Sequence, residues 1–89
     1  MDVQHTDGKF FAVIEGKEAI LLYRINGNKM DIYDTFTPHE LRGRGIAEQL
    51  AIAAFNYAKE NRLTVIPSCP YISETFLKRH QELNVMVEG

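Results

Sequence analysis

In the stretch TPHELRGRGIAEQL, Thr37 to Leu50, two arginines and two glycines alternate directly ahead of an unbroken helical pattern. Turn-forming backbone, positive charge and the start of a helix at one point suit an anion. A helix N-terminus presents free N–H groups and a partial positive charge. Gly43 and Gly45 let the chain curl so that amides converge, and Arg42 and Arg44 add guanidinium donors matched to phosphate oxygens. On residue types alone, Arg42 to Ala47 (RGRGIA) reads as a phosphate cradle. The plainer reading is a turn shaped by glycines, with solvated arginines. No Gly-Lys-Ser/Thr follows, as a Walker loop would need, and the spacing is not that of a dinucleotide-binding fingerprint.

The elements that must hold this loop lie on either side of it. Phe10 to Ile14 (FFAVI) and Ala19 to Ile25 (AILLYRI) read as strands, separated by Glu15-Gly16-Lys17. Asn26-Gly27-Asn28 is a strong hairpin signal leading into a third strand, Met30 to Phe36. In that strand Met30, Ile32 and Phe36 share one face by alternation, with Asp34 set among them. The period then changes. From Gly45 to Asn61, the residues Ile46, Leu50, Ala53, Ala54, Tyr57 and Ala58 recur at helical spacing without an interrupting Gly or Pro. Its middle, Ala51 to Phe55 (AIAAF), is apolar on nearly every side, so this helix is expected between two layers or with an exposed apolar patch. Leu63 to Ile66 is a short fourth strand, parallel to the third because a helix crosses between them. A second helix is expected over about 70–80, with Ile72, Phe76, Leu77 and Leu83 inward. Residues 1–8 read as a polar lead-in and 84–89 as an uninformative tail. The fold class is α/β (α+β): an antiparallel three-stranded meander, a helix, a parallel fourth strand and a C-terminal helix.

Composition narrows the function. The chain has 89 residues, the size of a single domain, and a net charge of −2, which argues against a partner held by phosphate neutralisation such as a nucleic acid. One cysteine permits no internal disulfide and fits a reducing compartment. Three scattered histidines and that cysteine match no metal spacing, so no metal is expected. The polar start MDVQHTDGK has no signal-peptide core, and no run reaches the roughly 18 apolar residues of a membrane span. The expectation is a cytoplasmic domain without membrane or nucleic-acid partners.

The loop resembles motif A of the GNAT superfamily of acetyl-CoA-dependent N-acetyltransferases, Arg/Gln-x-x-Gly-x-Gly/Ala, with Arg42, Gly45 and Ala47 in the fixed positions. A strand and Pro38 before it and a long helix after it agree. The likeness is closer to the small single-domain GNAT-like proteins of YjdJ type. Their Tyr-Arg second strand and Pro-x-Cys segment are matched by Leu22-Tyr23-Arg24 and Ile66-Pro67-Ser68-Cys69, and the resemblance runs from about residue 10 to 80.

That resemblance implies a cosubstrate and a reaction. Amides from Arg42 through Gly43, Arg44, Gly45 and Ile46 to Ala47 would hold the pyrophosphate of coenzyme A. The third strand at Phe36 and Thr37 would splay from the fourth at Val65 and Ile66, leaving a slot for the pantetheine arm beside Ser68 and Cys69. A backbone N–H near Phe36 would polarise the thioester carbonyl, as an oxyanion hole does. The reaction implied is direct transfer of acetyl from acetyl-CoA to an amine, which needs a proton acceptor for the ammonium and a donor for the leaving thiolate.

Three residues are candidates for that chemistry. Cys69, before Pro70 at the start of the second helix, sits where a helix field favours thiolate; as a plain small hydrophobe it needs no role. Asp34, on an apolar strand face, suits a general base, whereas a strand-end Asp bonded locally or solvated is the blander reading. The resembling branch usually has His-Thr where this chain has Asp34-Thr35, so a His-based mechanism does not carry over. Tyr71 lies where many GNAT enzymes place the proton donor to thiolate, and it would equally serve as packing. His39 and Glu40 read as solvated loop. Lys78 and Arg79 are candidates for the 3′-phosphate of CoA, or a basic helix end.

A full GNAT domain is longer, with helices between its first strands and strands after its last helix that shape the acceptor site. The acetyl-CoA slot is therefore expected complete and the acceptor pocket nearly absent. Three readings follow: transfer to an amine on a large acceptor such as a protein or peptide; a non-catalytic acetyl-CoA or CoA-binding module; or an interaction domain with a degenerate loop. The apolar AIAAF helix favours the last and leaves a homodimer open.

Overall fold

A computed structural model describes residues 1–88. Five strands form one sheet in sequence order: β1 (Gln4–Thr6), β2 (Lys9–Ile14), β3 (Lys17–Asn26), β4 (Lys29–Phe36) and β5 (Thr64–Pro67). The first four pair antiparallel and β5 runs parallel to β4, as a strand–helix–strand crossover requires. The crossover helix α1 spans Ile46–Glu60. The GNAT-like α/β architecture expected from the sequence is therefore present.

The polar lead-in is not featureless. Gln4, His5 and Thr6 pair with Phe11, Phe10 and Lys9, and His5 binds the Tyr23 hydroxyl through Nε2 while stacking flat on Phe10, ring centroids 4.0 Å apart. A strand whose residues are all exposed carries no apolar alternation; its ladder and the contacts of the His5 ring with Phe10, Tyr23 and Tyr57 hold it. At the far edge the tail also contributes. Val87 bridges β5 at Val65, the Glu88 N–H donates to the Val65 carbonyl (2.9 Å), and the Glu88 carboxylate meets Lys29 Nζ at 2.7 Å. Both additions cover strand edges that would otherwise offer unpaired backbone.

One face of the sheet is buried. Phe10, Leu21, Tyr23, Met30 and Ile32 point from it toward α1, which returns Leu50, Ala54 and Phe55. Fully burying such side chains stabilises the fold by about 1.5–3 kcal/mol each. The second helical segment, 70–79, contains a π-helical turn at Ile72–Phe76 and closes as α-helix at Leu77–Arg79. The wider turn lets Ile72, Phe76 and Leu77 all bury, and Phe76 lies against Phe55 of α1 with centroids 5.3 Å apart. The apolar middle of α1 is thus used between sheet and second helix: Ala51, Ala54 and Phe55 are buried, while Ile52 and Ala53 are half-buried. Among the described residues, no helix is long and apolar enough to cross a membrane.

A β-bulge alters the reading of β4. Tyr23 pairs with Ile32 but Leu22 pairs with Asp34, so the register shifts and Tyr33 is the extra residue. Past the bulge the alternation reverses. Thr35, partner of buried Leu21, faces the helices, while Asp34 and Phe36 stand exposed with Leu22 and Ile20 on the open face. Asp34 therefore does not lie among Met30 and Ile32 as strict alternation predicts.

Candidate active site

The loop between β4 and α1 begins with Thr37 and Pro38 and passes through a 3₁₀ turn at His39–Leu41. Leu41, fully buried, anchors it. Arg42 Nε donates to the Thr37 carbonyl at 3.0 Å, which ties the two ends of the loop together. Gly43 (φ 82°) and Gly45 (φ 77°) are both left-handed, a conformation that costs an L-residue about 1–2 kcal/mol. A Cβ at either position would meet nothing within 4 Å, so conformation and not space explains the glycines.

Gly45 is the N-cap of α1, and no side chain caps the helix. Among the described residues, the amides from Gly43 to Glu48 have no backbone or side-chain acceptor. A 15-residue helix thus opens with free donors at its positive end, which is the arrangement an anion needs.

These amides border a cleft of about 270 Å³. One wall is the loop and first turn of α1: Thr37, Arg42, Gly43, Gly45, Ile46 and Ala47, joined by Leu41 and Glu48. The other wall is the second helix, through Tyr71, Thr75 and Arg79. Most of the residues read from the sequence as cofactor-binding therefore meet in one place, and Tyr71 joins them. Burial, foremost, and then the Glu48 charge push the Tyr71 phenol above its ordinary value.

The remaining candidates lie elsewhere. Arg44 turns from the cleft to the β2–β3 turn, where Nη1 meets the Glu15 carboxylate at 2.9 Å. Its hydrogen bond, then its charge, hold that carboxyl below the usual range. Arg44 Nη2 also reaches the Glu40 carbonyl, and both His39 and Glu40 are exposed. Cys69 is buried; its amide donates to the Ile32 carbonyl (2.9 Å) and its Sγ lies 3.4 Å from Thr35 Oγ1. The Cys69 carbonyl accepts from the amides of Ile72 and Ser73, so the residue does stand at the start of the second helix. Ser68 Oγ donates to Asp31 at 2.6 Å.

The splay of β4 from β5 comes earlier than predicted. Val65 and Ile66 are still paired, with Met30 and Asp31, and the ladder ends at Ile32–Pro67. Beyond it β4 continues to Phe36 while the other chain departs through Ser68 and Cys69. Pro67 has no N–H to extend the ladder, which accounts for the early parting. Residues 33–36 and Ser68–Cys69 thus lie on the two sides of this parting, still joined by the Cys69 amide to the Ile32 carbonyl and by the Thr35–Cys69 side-chain contact.

Besides the buried loop anchor Leu41, two cleft residues, Glu48 and Thr75, were not singled out from the sequence. Tyr71, Thr75 and Arg79 recur every four residues, so a helix-face count from Tyr71 would have found Thr75. Glu48 carried no such signal, because an acidic residue in a first helical turn ordinarily needs only the helix dipole to explain it. Among the described residues, no group of three His, Cys, Asp or Glu side chains could hold a metal ion.

A mixed sheet whose β4–α1 turn is an uncapped glycine loop, beside a parting parallel strand pair, is the α/β architecture of a small GNAT-type domain. Residues 9–86 match the family model described as GCN5-related N-acetyl-transferase, and the chain belongs to that family. It is similar to Protein NATD1 of Xenopus tropicalis, 42% identical over 57 residues (63% of this chain, 52% of that protein). Protein NATD1 of Bos taurus is 40% identical over 63 residues, 70% of this chain and 55% of that protein. The chain spans about half the length of these curated relatives. Among solved structures, a GCN5-like protein from Staphylococcus aureus, determined in solution by NMR, superposes with a TM-score of 0.76 at 25% identity, covering 99% of this chain and 88% of that one.

Proposed function

We propose that the chain binds acetyl-CoA and transfers its acetyl group to an amine. The observation that carries this reading is the uncapped, left-handed glycine start of α1, its free amides facing Tyr71, Thr75 and Arg79 across one cleft. The residues fit a pyrophosphate. Amides from Gly43 to Ala47 supply the donors, and Arg42 and Arg79 supply cations at opposite walls. The pantetheine arm takes the slot where β4 and β5 part.

In the transfer, the amine nitrogen attacks the thioester carbonyl carbon and the carbon–sulfur bond breaks. The ammonium first gives a proton to Asp34 or to solvent, so that the neutral amine attacks. On collapse the departing thiolate takes the Tyr71 phenolic proton, and the second proton lost by the nitrogen goes to solvent, from which the Tyr71 phenolate is reprotonated. An N–H on the freed edge of β4 near Phe36 stabilises the developing oxyanion. Cys69, buried against Thr35, lines the helix side of the slot. Asp34 and Phe36 border neither the glycine-loop cleft nor the hollow at Asp7 and Tyr23; they stand exposed on the open sheet face. This favours an acceptor that brings its own surface, a protein or peptide amine.

The test supplies acetyl-CoA with a mixture of amine-bearing peptides and follows free thiol. Wild type releases thiol and acetylates peptide, and Tyr71→Phe slows release about 100-fold or more while still binding CoA. Binding without release in every mixture supports the non-catalytic module instead.

A further inference from the structure

Glu48 is out of place in a cleft that receives phosphates. It sits in the first turn of α1, among the residues lining the cleft, and its charge is felt at Tyr71 across the gap. A carboxylate there helps the helix dipole but repels an incoming anion. The structure shows what restrains it: Glu48 Oε2 meets His80 Nε2 at 2.7 Å, both side chains about three-quarters shielded from solvent.

His80 is itself firmly placed. It ends the second helix, its amide donates to the Phe76 carbonyl at 3.1 Å, and its ring stacks on Phe76 with centroids 4.5 Å apart. Its other nitrogen, Nδ1, faces the exposed Glu82 carboxylate at 3.7 Å. The acidic groups facing the imidazole are thus Glu48 from α1 and Glu82 from the following 3₁₀ turn, and Phe76 fixes the ring between them. The contact spans the two walls of the cleft, joining the start of α1 to the end of the helix that carries Tyr71, Thr75 and Arg79.

We propose that His80 is a positioning residue for the anion cleft: it clamps the Glu48 carboxylate at the cleft wall, out of the phosphate path. This rests on the reading of the cleft as the CoA site. A carboxylate released from His80 is free to turn toward the amides of its own helix start, where it competes with phosphate as an internal anion. The pair thereby favours phosphate over the chain's own carboxylate.

The test titrates CoA calorimetrically into wild type, His80→Gln, Glu48→Gln and the double variant, with circular dichroism confirming each fold. His80→Gln weakens CoA binding about fivefold, the size expected for one like charge at a largely shielded site near the surface. The double variant returns to wild-type affinity or better, because the liberated carboxylate is gone. A merely structural bridge gives the opposite pattern, with both single variants weakened and no recovery in the double. That pattern, or an unchanged His80→Gln, overturns the proposal. If His80→Gln does not fold, Glu48→Gln alone decides: affinity at or above wild type supports the clamp, and weaker binding refutes it. Wild type that binds no CoA instead removes the ligand reading itself.

Discussion

Replacing Gly45 with alanine isolates the conformation of the loop from its space. Gly45 holds φ at 77°, and a Cβ there would touch nothing within 4 Å, so the substitution adds strain without a clash. An L-residue in this region costs about 1–2 kcal/mol, and alanine recovers about 0.4–1 kcal/mol by restricting the unfolded chain. The net loss is about 1 kcal/mol, or a fall in Tm of about 4–8 °C for a domain of this size. Gly27, in the β3–β4 turn at φ 64° and also with nothing within 4 Å, provides the control. Gly27→Ala loses a similar amount by the same mechanism.

CoA binding separates the two. In Gly45→Ala the left-handed loop competes with right-handed alternatives now closer in energy, and affinity drops with the competent fraction, about three- to tenfold. Gly27→Ala binds as wild type. Thermal melts and calorimetric titrations of the pair give both numbers. Equal stability losses with equal, undiminished CoA affinity would refute the claim that this loop conformation forms the cradle. An undestabilised Gly45→Ala would show that the left-handed turn is not held in solution.

Other consequences follow from packing and charge. Phe55→Ala, at a side chain 1% exposed against Phe76, costs about 3–5 kcal/mol in chemical denaturation. At high pH, Tyr23 and Tyr71, both raised above the ordinary phenol value chiefly by burial, stay neutral in the fold after they would ionise in the unfolded chain. Their raised values mean that stability is full below pH about 10 and falls as pH rises through it, a decline that Tyr71→Phe makes shallower in alkaline melts. Glu15 has the opposite sign: its lowered value gives stability present above the ordinary carboxylate range and lost as pH falls through the folded value. The pair is exposed and screened, so the readable effect of Arg44→Ala is an upward move of the Glu15 titration midpoint by NMR.

Much of this arrangement was legible because local chemistry and global fold agree. The Asn-Gly turn, the switch from strand to helical period after Phe36 and the glycine loop fixed three strands, α1 to within a residue at each end, and the cleft's first wall. β1 escaped because its residues are exposed and its partner is found only by pairing. The side on which Asp34 lies could not be read from alternation, because a bulge is set by the partner strand and leaves no mark in the residue types of β4. The cross-cleft contact of Glu48 with His80, 32 residues apart, depends on how two helices meet at Phe55 and Phe76. The π turn that brings Ile72, Phe76 and Leu77 inward together likewise follows from tertiary packing.

The central claim is that the amides at the start of α1 hold the pyrophosphate of CoA. Titration of CoA into isotopically labelled chain, followed residue by residue through backbone amide resonances, tests it most directly. The account predicts the largest displacements at Gly43 to Glu48, with smaller ones at Tyr71, Thr75 and Arg79 across the cleft. Saturable binding that leaves the loop amides unmoved and shifts resonances on another face would contradict it.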